Sequence, residues 1–268
     1  MAVQIDLAGK VVVVVGSGGG IGLAVTELLG RAGATLVCVD HAQEQVDRAL
    51  SGIGGFDAKA SGIVADVKDR QAAATIIPKA IAQFGRIDGL VNVAGGTVQE
   101  EWREIERTPD EMVEATMRFN FGYSVSLCRE ASKAMIEAKQ PGAMVNITSV
   151  SGLVSAPYHA VYGAAKAALA TITRTMALEW AHHGIRVNSV APGAVETERV
   201  LEQVGYERAD ETWGRSVTLP AEIAGGCLFL LSDLASGVTG QNLVVDVGAT
   251  IDYPLGGIAQ ISKKIFDA

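Results

Sequence analysis

Residues Val11 to Val15 are five consecutive valines. β-Branched side chains suit a pleated strand and lose rotamer freedom in a helix. A strand that is apolar at every position has no face to give to water. It belongs inside a parallel sheet covered by helices on both sides. Directly after it come Gly16-Ser17-Gly18-Gly19-Gly20-Ile21-Gly22 and a helical run through Leu29. In that setting, the N–H groups at a helix start can hold a pyrophosphate that glycines let approach. The pattern G-x-G-x-x-G fails in each register, because Gly16 would need glycine at Ile21 and Gly18 would need it at Leu23. What fits is G-x-x-x-G-x-G on Gly16, Gly20 and Gly22, with Gly18 and Gly19 leaving the loop bare. An ordinary tight turn is the plainer reading, and the flanking strand and helix argue against it.

The same alternation continues down the chain. Thr35 to Val39 is a second strand and ends at Asp40. An acid there can accept hydrogen bonds from an adenosine ribose and repels a 2′-phosphate. Gly19 and His41, where a basic residue would welcome that phosphate, offer no fixed charge, so the expected cofactor is NAD. The plainer role for Asp40 is to cap the next helix. Gln43 to Leu50 is a helix, Ile63-Val64 a short strand leading to Asp66-Val67, and Arg70 to Phe84 a helix. The strand Gly89 to Val93 runs into Asn92-Val93-Ala94-Gly95-Gly96, small enough to let a flat ring lie against the backbone. Glu100 to Arg107 is dense in charge and reads as a solvated turn, with Trp102 among the acids. Thr108-Pro109-Asp110-Glu111 signals a helix start, Thr at the N-cap and Pro at N1, for a helix running to about Lys139. It carries Asn120 between Phe119 and Phe121, where an amide must be a hydrogen-bonded core clamp or part of a site.

Ala143 to Thr148 is a fifth strand that delivers Ser149 at its carboxyl end, the edge where open parallel sheets bind ligands. A helix with Tyr162-Gly163-Ala164-Ala165-Lys166 follows, running to about His182. Arg186 to Ala191 is a strand ending in Pro192-Gly193-Ala194-Val195-Glu196-Thr197. Val200 to Leu219, with Tyr206 and Trp213, has no clear period and suits a lid. A helix from Pro220 to Leu231 and a strand from Asn242 to Val245 complete the pattern. The expected fold is α/β, a single-domain Rossmann fold with a doubly wound seven-stranded parallel sheet and helices on both faces. One domain spans residues 1–268, with a tail over 252–268.

Tyr162 and Lys166 lie four apart in an Ala-rich helix, so they share one face a turn apart. A free tyrosine ionises with a pKa of about 10. A neighbouring ammonium favours the phenolate and lets the Tyr exchange a proton near neutral pH. By itself the spacing is weak, and a simple helix-face pair would produce it.

The net charge of −8 and the absence of a basic run argue against nucleic acid and anionic membranes as partners. No apolar run reaches transmembrane length, and Met1 to Lys10 lacks the pattern of a signal peptide. Cys38, Cys128 and Cys227 are scattered in apolar stretches, as buried free thiols in a reducing compartment would be, so a cytoplasmic location is expected. The four histidines show no metal-ligand spacing, and no metal is expected.

Taken together, Gly16-x-x-x-Gly20-Ile21-Gly22, Asn92-x-Ala94-Gly95, Asn120, Ser149 with Tyr162-x-x-x-Lys166, and Pro192-Gly193-x-x-x-Thr197 resemble, in order, the motifs of the classical short-chain dehydrogenase/reductase family over almost the whole chain. Ser149 precedes Tyr162 by thirteen residues, as is usual in that family. The resemblance implies Tyr162 as general acid/base and Lys166 as its pKa-lowering partner and a ribose ligand. It implies Ser149 as holder of the substrate oxygen and Asn120 as support for a water linking Lys166 to solvent. Asp66 and Val67 would contact adenine, Asn92, Ala94 and Gly95 line the ribose side, and Val195 and Thr197 hold the carboxamide end beside Pro192 and Gly193. Val15 stands where the family commonly has Thr, and Val93 where it has a second Asn. The implied activity is NAD(H)-dependent interconversion of a secondary alcohol and a ketone, with oxidation favoured. Substrates would be apolar or cyclic alcohols or 3-hydroxyacyl compounds, and the assembly a homotetramer. A catalytically silent NAD-binding regulatory protein is the alternative, disfavoured because both Tyr162 and Lys166 are present.

Overall fold

The computed structural model describes residues 5–56, 58–198 and 217–251. The lid expected around Tyr206 and Trp213 and the tail from Asp252 lie outside the described residues. A parallel sheet of seven strands runs in the order β3-β2-β1-β4-β5-β6-β7. The strands are β1 (Val11–Val15), β2 (Thr35–Asp40), β3 (Ala60–Val64), β4 (Gly89–Asn92), β5 (Gly142–Ile147), β6 (Ile185–Pro192) and β7 (Asn242–Val245). The order reverses between β1 and β4, and such a switch point opens a crevice beyond the carboxyl ends of the strands.

The valine run is buried at every position. Val11, Val13 and Val15 enter one core layer with Leu127, Met144 and Met176. Val12 and Val14 enter the opposite layer with Val25, Leu29 and Ile223. One layer is covered by α4 (Ile76–Phe84), α6 (Tyr123–Glu137) and α7 (Ala160–Trp180), the other by α1 (Gly20–Arg31), α2 (Gln43–Ile53) and α8 (Pro220–Leu231). Helices therefore cover both faces, as a doubly wound sheet requires.

Two helices depart from the sequence reading. The expected helix from Arg70 to Phe84 breaks at Thr75 into α3 (Arg70–Ala74) and α4. Pro78 explains the break, because it cannot donate to the carbonyl of Ala74 and its ring would strike it. The helix expected to start at Pro109 has Pro109 as its N-cap, one position later than predicted. It runs as α5 (Asp110–Met117), widens into a π-helical turn over Arg118–Gly122, and continues as α6. Thr108 does not cap it, and its hydroxyl donates instead to the carbonyl of Glu104 at 3.2 Å.

At the amino end of the sheet, buried Asp88 accepts from the N–H of Val11 (2.8 Å), from Arg86 (2.9 and 2.6 Å) and from Gln140 (2.9 Å). In the middle, the paired residues Asn92 and Asn146 are joined through their amides at 2.9 Å, with Asn146 also donating to Thr173 at 3.0 Å.

Candidate active site

The glycine turn is built by close packing. A Cβ at Gly22 would overlap the carbonyl oxygen of Gly16, one at Gly18 the backbone of Gln45, and one at Gly16 would stand 2.6 Å from the nitrogen of Ala94. Only glycine at these places keeps the turn against the loop after β4, and α1 and α2 against the turn. The first N–H groups of the 12-residue α1 have no carbonyl within their own helix, and no acid occupies its first turn. Asp40 does not cap α2, whose N-cap is Ala42. Its carboxylate instead accepts from the N–H of Gly18 at 2.9 Å and of His41 at 2.8 Å, tying the end of β2 to the loop.

Beside it lies a cavity of about 200 Å³ lined by Gly16, Asp40, Asp66, Val67, Ala94, Gly95 and Phe119, among others. The Lys68 ammonium sits 4.6 Å from the centre of the Phe119 ring. Val67 offers an apolar face for a flat base, Asp40 an acid for a ribose, and the bare turn opens onto a helix, a chemically suitable cradle for a dinucleotide. The side chain of Asn92 does not enter it, since the amide is buried against Asn146 and the thiol of Cys128. On the far side, Gly193 donates to the carbonyl of Val245 at 3.1 Å, and Val195 is buried in the core. Thr197 comes over the start of α1, where a Cβ on Gly20 would meet its methyl at 2.9 Å. Next to it, Glu198 and Arg48 of α2 form a two-pronged ion pair at 2.7 and 3.2 Å across the same crevice.

The second half of the site is assembled at Gly95 and Gly96. The Asn120 amide, buried in the π-helical turn, accepts from the N–H of Gly96 at 2.7 Å and donates to its carbonyl at 3.0 Å. It thus pairs with the loop as a neighbouring strand would. The wider turn lets an interior helix residue aim its side chain at another segment, a recurrent use of π-bulges. Tyr123 donates to the carbonyl of Ala94 at 2.5 Å, and burial pushes its phenol above the usual range, so it stays a neutral donor. Lys166 is buried, and its ammonium donates to the carbonyl of Ile147 at 2.8 Å. A Cβ on Gly95 would stand 2.9 Å from the Asn120 oxygen and 3.1 Å from the Lys166 nitrogen. That nitrogen lies 5.7 Å from the centre of the Tyr162 ring.

Ser149 leaves β5 in an extended conformation and caps a short turn over Val150–Gly152, its hydroxyl accepting from the N–H of Ser151 at 3.1 Å. The turn packs tightly on α7, with a Cβ at Gly152 2.7 Å from the nitrogen of Ala167 and one at Gly163 2.6 Å from the carbonyl of Ser151. The small residues around Tyr162 thereby set how near Ser149 can come. The structure brings the glycine turn, Asp40, Asn120, Ser149, Tyr162 and Lys166 to one edge of the sheet.

Trp102 is a further neighbour of the site. Trp102, read from sequence as part of a solvated turn, stacks on His159 with ring centres 5.1 Å apart and planes inclined by 27°. His159 in turn lies 6.0 Å from the Tyr162 ring. A lone large aromatic inside an acidic loop just past a strand's carboxyl end was the signal available in the sequence. Among the described residues, no group of three or more His, Cys, Asp or Glu could hold a metal ion, and no helix is long and apolar enough to cross a membrane.

A family model described as enoyl-(acyl carrier protein) reductase matches residues 15–250. The 3beta-hydroxysteroid dehydrogenase 1 of Eggerthella lenta is 34% identical over 258 residues, covering 93% of this chain and 96% of that protein. The galactitol 2-dehydrogenase (L-tagatose-forming) of Cereibacter sphaeroides is 38% identical over 252 residues, covering 91% and 96%. Among solved structures, a short-chain type dehydrogenase/reductase from Mycobacterium marinum superposes with a TM-score of 0.84 at 28% identity, covering 92% of this chain and 98% of that one.

Proposed function

The chain belongs to the classical short-chain dehydrogenase/reductase family, oxidoreductases acting on CH–OH groups with a nicotinamide dinucleotide, and on that footing we propose that it is NAD(H)-dependent and interconverts a secondary alcohol and a ketone with Tyr162 as general acid/base. The observation that carries the reading is the meeting of Asn120 and Lys166 at Gly95, one turn below Tyr162. NAD, when bound, supplies the hydride acceptor, and its reduced form the donor. The chain's own groups handle the proton. The Lys166 charge, held near the Tyr162 ring by the Ile147 carbonyl, favours the phenolate. Tyr162 then takes the hydroxyl proton of an alcohol and returns it to a ketone oxygen. Ser149, already accepting from the N–H of Ser151, keeps its own hydrogen for the substrate oxygen. Two donors thus face the oxygen on which charge develops. Asn120 fixes Gly96 and, with it, the floor beneath Lys166.

Preference for NAD over NADP rests on Asp40, a carboxylate held in place by Gly18 where a 2′-phosphate would have to sit. A steroid and a sugar alcohol in the names of two relatives support a small-molecule alcohol or ketone substrate and leave its shape open. The buried free thiols fit a cytoplasmic location. A homotetramer fits the exposed apolar side chains on the edge strand and on α7, Leu243, Val244 and Leu178. Residues 1–268 would act as one dinucleotide-binding unit. Tyr162→Phe is the test. It removes the proton carrier and keeps the ring, so turnover should fall by roughly 10²–10⁴ while NADH binding persists. A variant within about threefold of wild type on a confirmed secondary alcohol would refute this mechanism.

A further inference from the structure

We infer that the stacked Trp102–His159 pair is the specificity-determining wall of the substrate site, shaped to take the face of a cyclic secondary alcohol in preference to an open-chain one. The inference rests on the alcohol–ketone reading above and names the substrate class for it. Four observations carry it. First, the pair stands beside Tyr162, with His159 6.0 Å from its ring and Trp102 5.1 Å beyond. Second, it is built, not incidental. The N–H of Arg103 donates to the carbonyl of Tyr158 at 2.7 Å, joining the loop after β4 to the loop after β5 at the point where the rings meet. Tyr158 adopts a left-handed φ of 66°, an unfavourable conformation for a residue with a side chain, and His159 follows directly. Third, His159 is linked to the machinery. Its Nε2 lies 3.3 Å from the hydroxyl of Ser151, whose N–H donates to Ser149. Burial holds its pKa below the usual range, so the wall is uncharged near neutral pH. Fourth, the pair offers exposed aromatic surface: Trp102 is 41% exposed, and Tyr158, whose carbonyl holds the loop beside it, is also open to solvent.

A flat aromatic wall rewards a rigid ring, which covers it without losing internal freedom. An open chain loses rotamers to gain the same contact. His159 is therefore a positioning residue, and Trp102 a substrate contact.

The test uses matched ring and chain alcohols, cyclohexanol with 2-hexanol and decalol with 2-decanol, on the full-length enzyme. Wild type should favour the ring partner, and Trp102→Ala should erase about tenfold of that ratio through KM, with kcat within about threefold and NADH affinity unchanged. His159→Ala should erase the same preference, whereas His159→Phe, which keeps a ring to stack, should retain it. A ring-to-chain ratio that Trp102→Ala leaves within about twofold, or an equal loss on both partners, would overturn the wall. Wild type no more active than Tyr162→Phe on every pair would instead count against the alcohol–ketone reading.

Discussion

Replacing Gly95 with alanine tests how the two halves of the site depend on one empty volume. The backbone there has φ of 152°, a region that side chains rarely adopt, and a Cβ would stand 2.9 Å from the Asn120 oxygen and 3.1 Å from the Lys166 nitrogen. Neither neighbour moves away cheaply. Asn120 is held by Gly96 on both sides and by the carbonyl of Thr116 at 3.2 Å, and Lys166 by the carbonyl of Ile147 at 2.8 Å. Backbone strain costs about 1–3 kcal/mol. Losing one hydrogen bond to a charged group costs about 1.5–3 kcal/mol more. A destabilisation of roughly 3–5 kcal/mol corresponds to a fall in Tm of roughly 6–15 °C for a domain of this size. Displacing Lys166 also removes its charge from Tyr162, so kcat/KM should fall by about 10² or more. Thermal melts and steady-state kinetics read the two effects separately. Gly55→Ala is the control, because a Cβ there meets nothing within 4 Å. If Gly95→Ala melted within about 2 °C of wild type and kept kcat/KM within about twofold, this volume would not couple Asn120, Lys166 and Tyr162.

Asp40→Ser should raise the NADP-to-NAD ratio of kcat/KM by about tenfold or more, since it removes the like charge facing a 2′-phosphate. An unchanged ratio would place cofactor choice elsewhere. Asp88→Ala strands the N–H of Val11 and the donors of Arg86 and Gln140 at the amino end of the sheet, and should cost about 2–4 kcal/mol in urea unfolding while KM stays unchanged. Loss of turnover without loss of stability would contradict its structural role. Burial pushes the thiols of Cys38, Cys128 and Cys227 up to about 12, so the native enzyme should resist thiol reagents at neutral pH and label fully only in denaturant. Rapid labelling of the native protein would contradict that burial.

Much of the fold was legible because its strongest signals are local. Five valines read as a strand buried on both faces, and a glycine turn set between that strand and a helical run reads as a helix start. Asp40 had two readings from sequence, and only the neighbour it bonds, Gly18, separates them. The segments that differed did so through longer-range causes. Helical periodicity persists through Arg70 to Phe84, yet Pro78 vetoes one hydrogen bond and splits it. Asn120 was recognisable as a polar residue needing a partner, but the π-helical turn that aims it at Gly96 has no simple periodicity signature. Charge dominates the window around Trp102, so its sequence reads as a solvated turn. Its partner lies 57 residues away in the sequence, across a contact between two loops.

The amides of Asn92 and Asn146 have a consequence for how the chain finds its alignment. They sit opposite one another on β4 and β5, whose other paired positions, such as Leu90 with Met144 and Val91 with Val145, are interchangeable apolar residues. Adjacent parallel strands of this kind must find each other over long stretches of chain, and apolar side chains alone would tolerate a shifted pairing. A shift by one residue would turn both amides against hydrocarbon, at about 1–3 kcal/mol for each unpaired group. The pair therefore acts as a registration mark in the middle of the sheet. Since Ala94-Gly95 lies just past one asparagine and Ser149 just past the other, the mark that aligns the strands also fixes how far each loop projects toward the other.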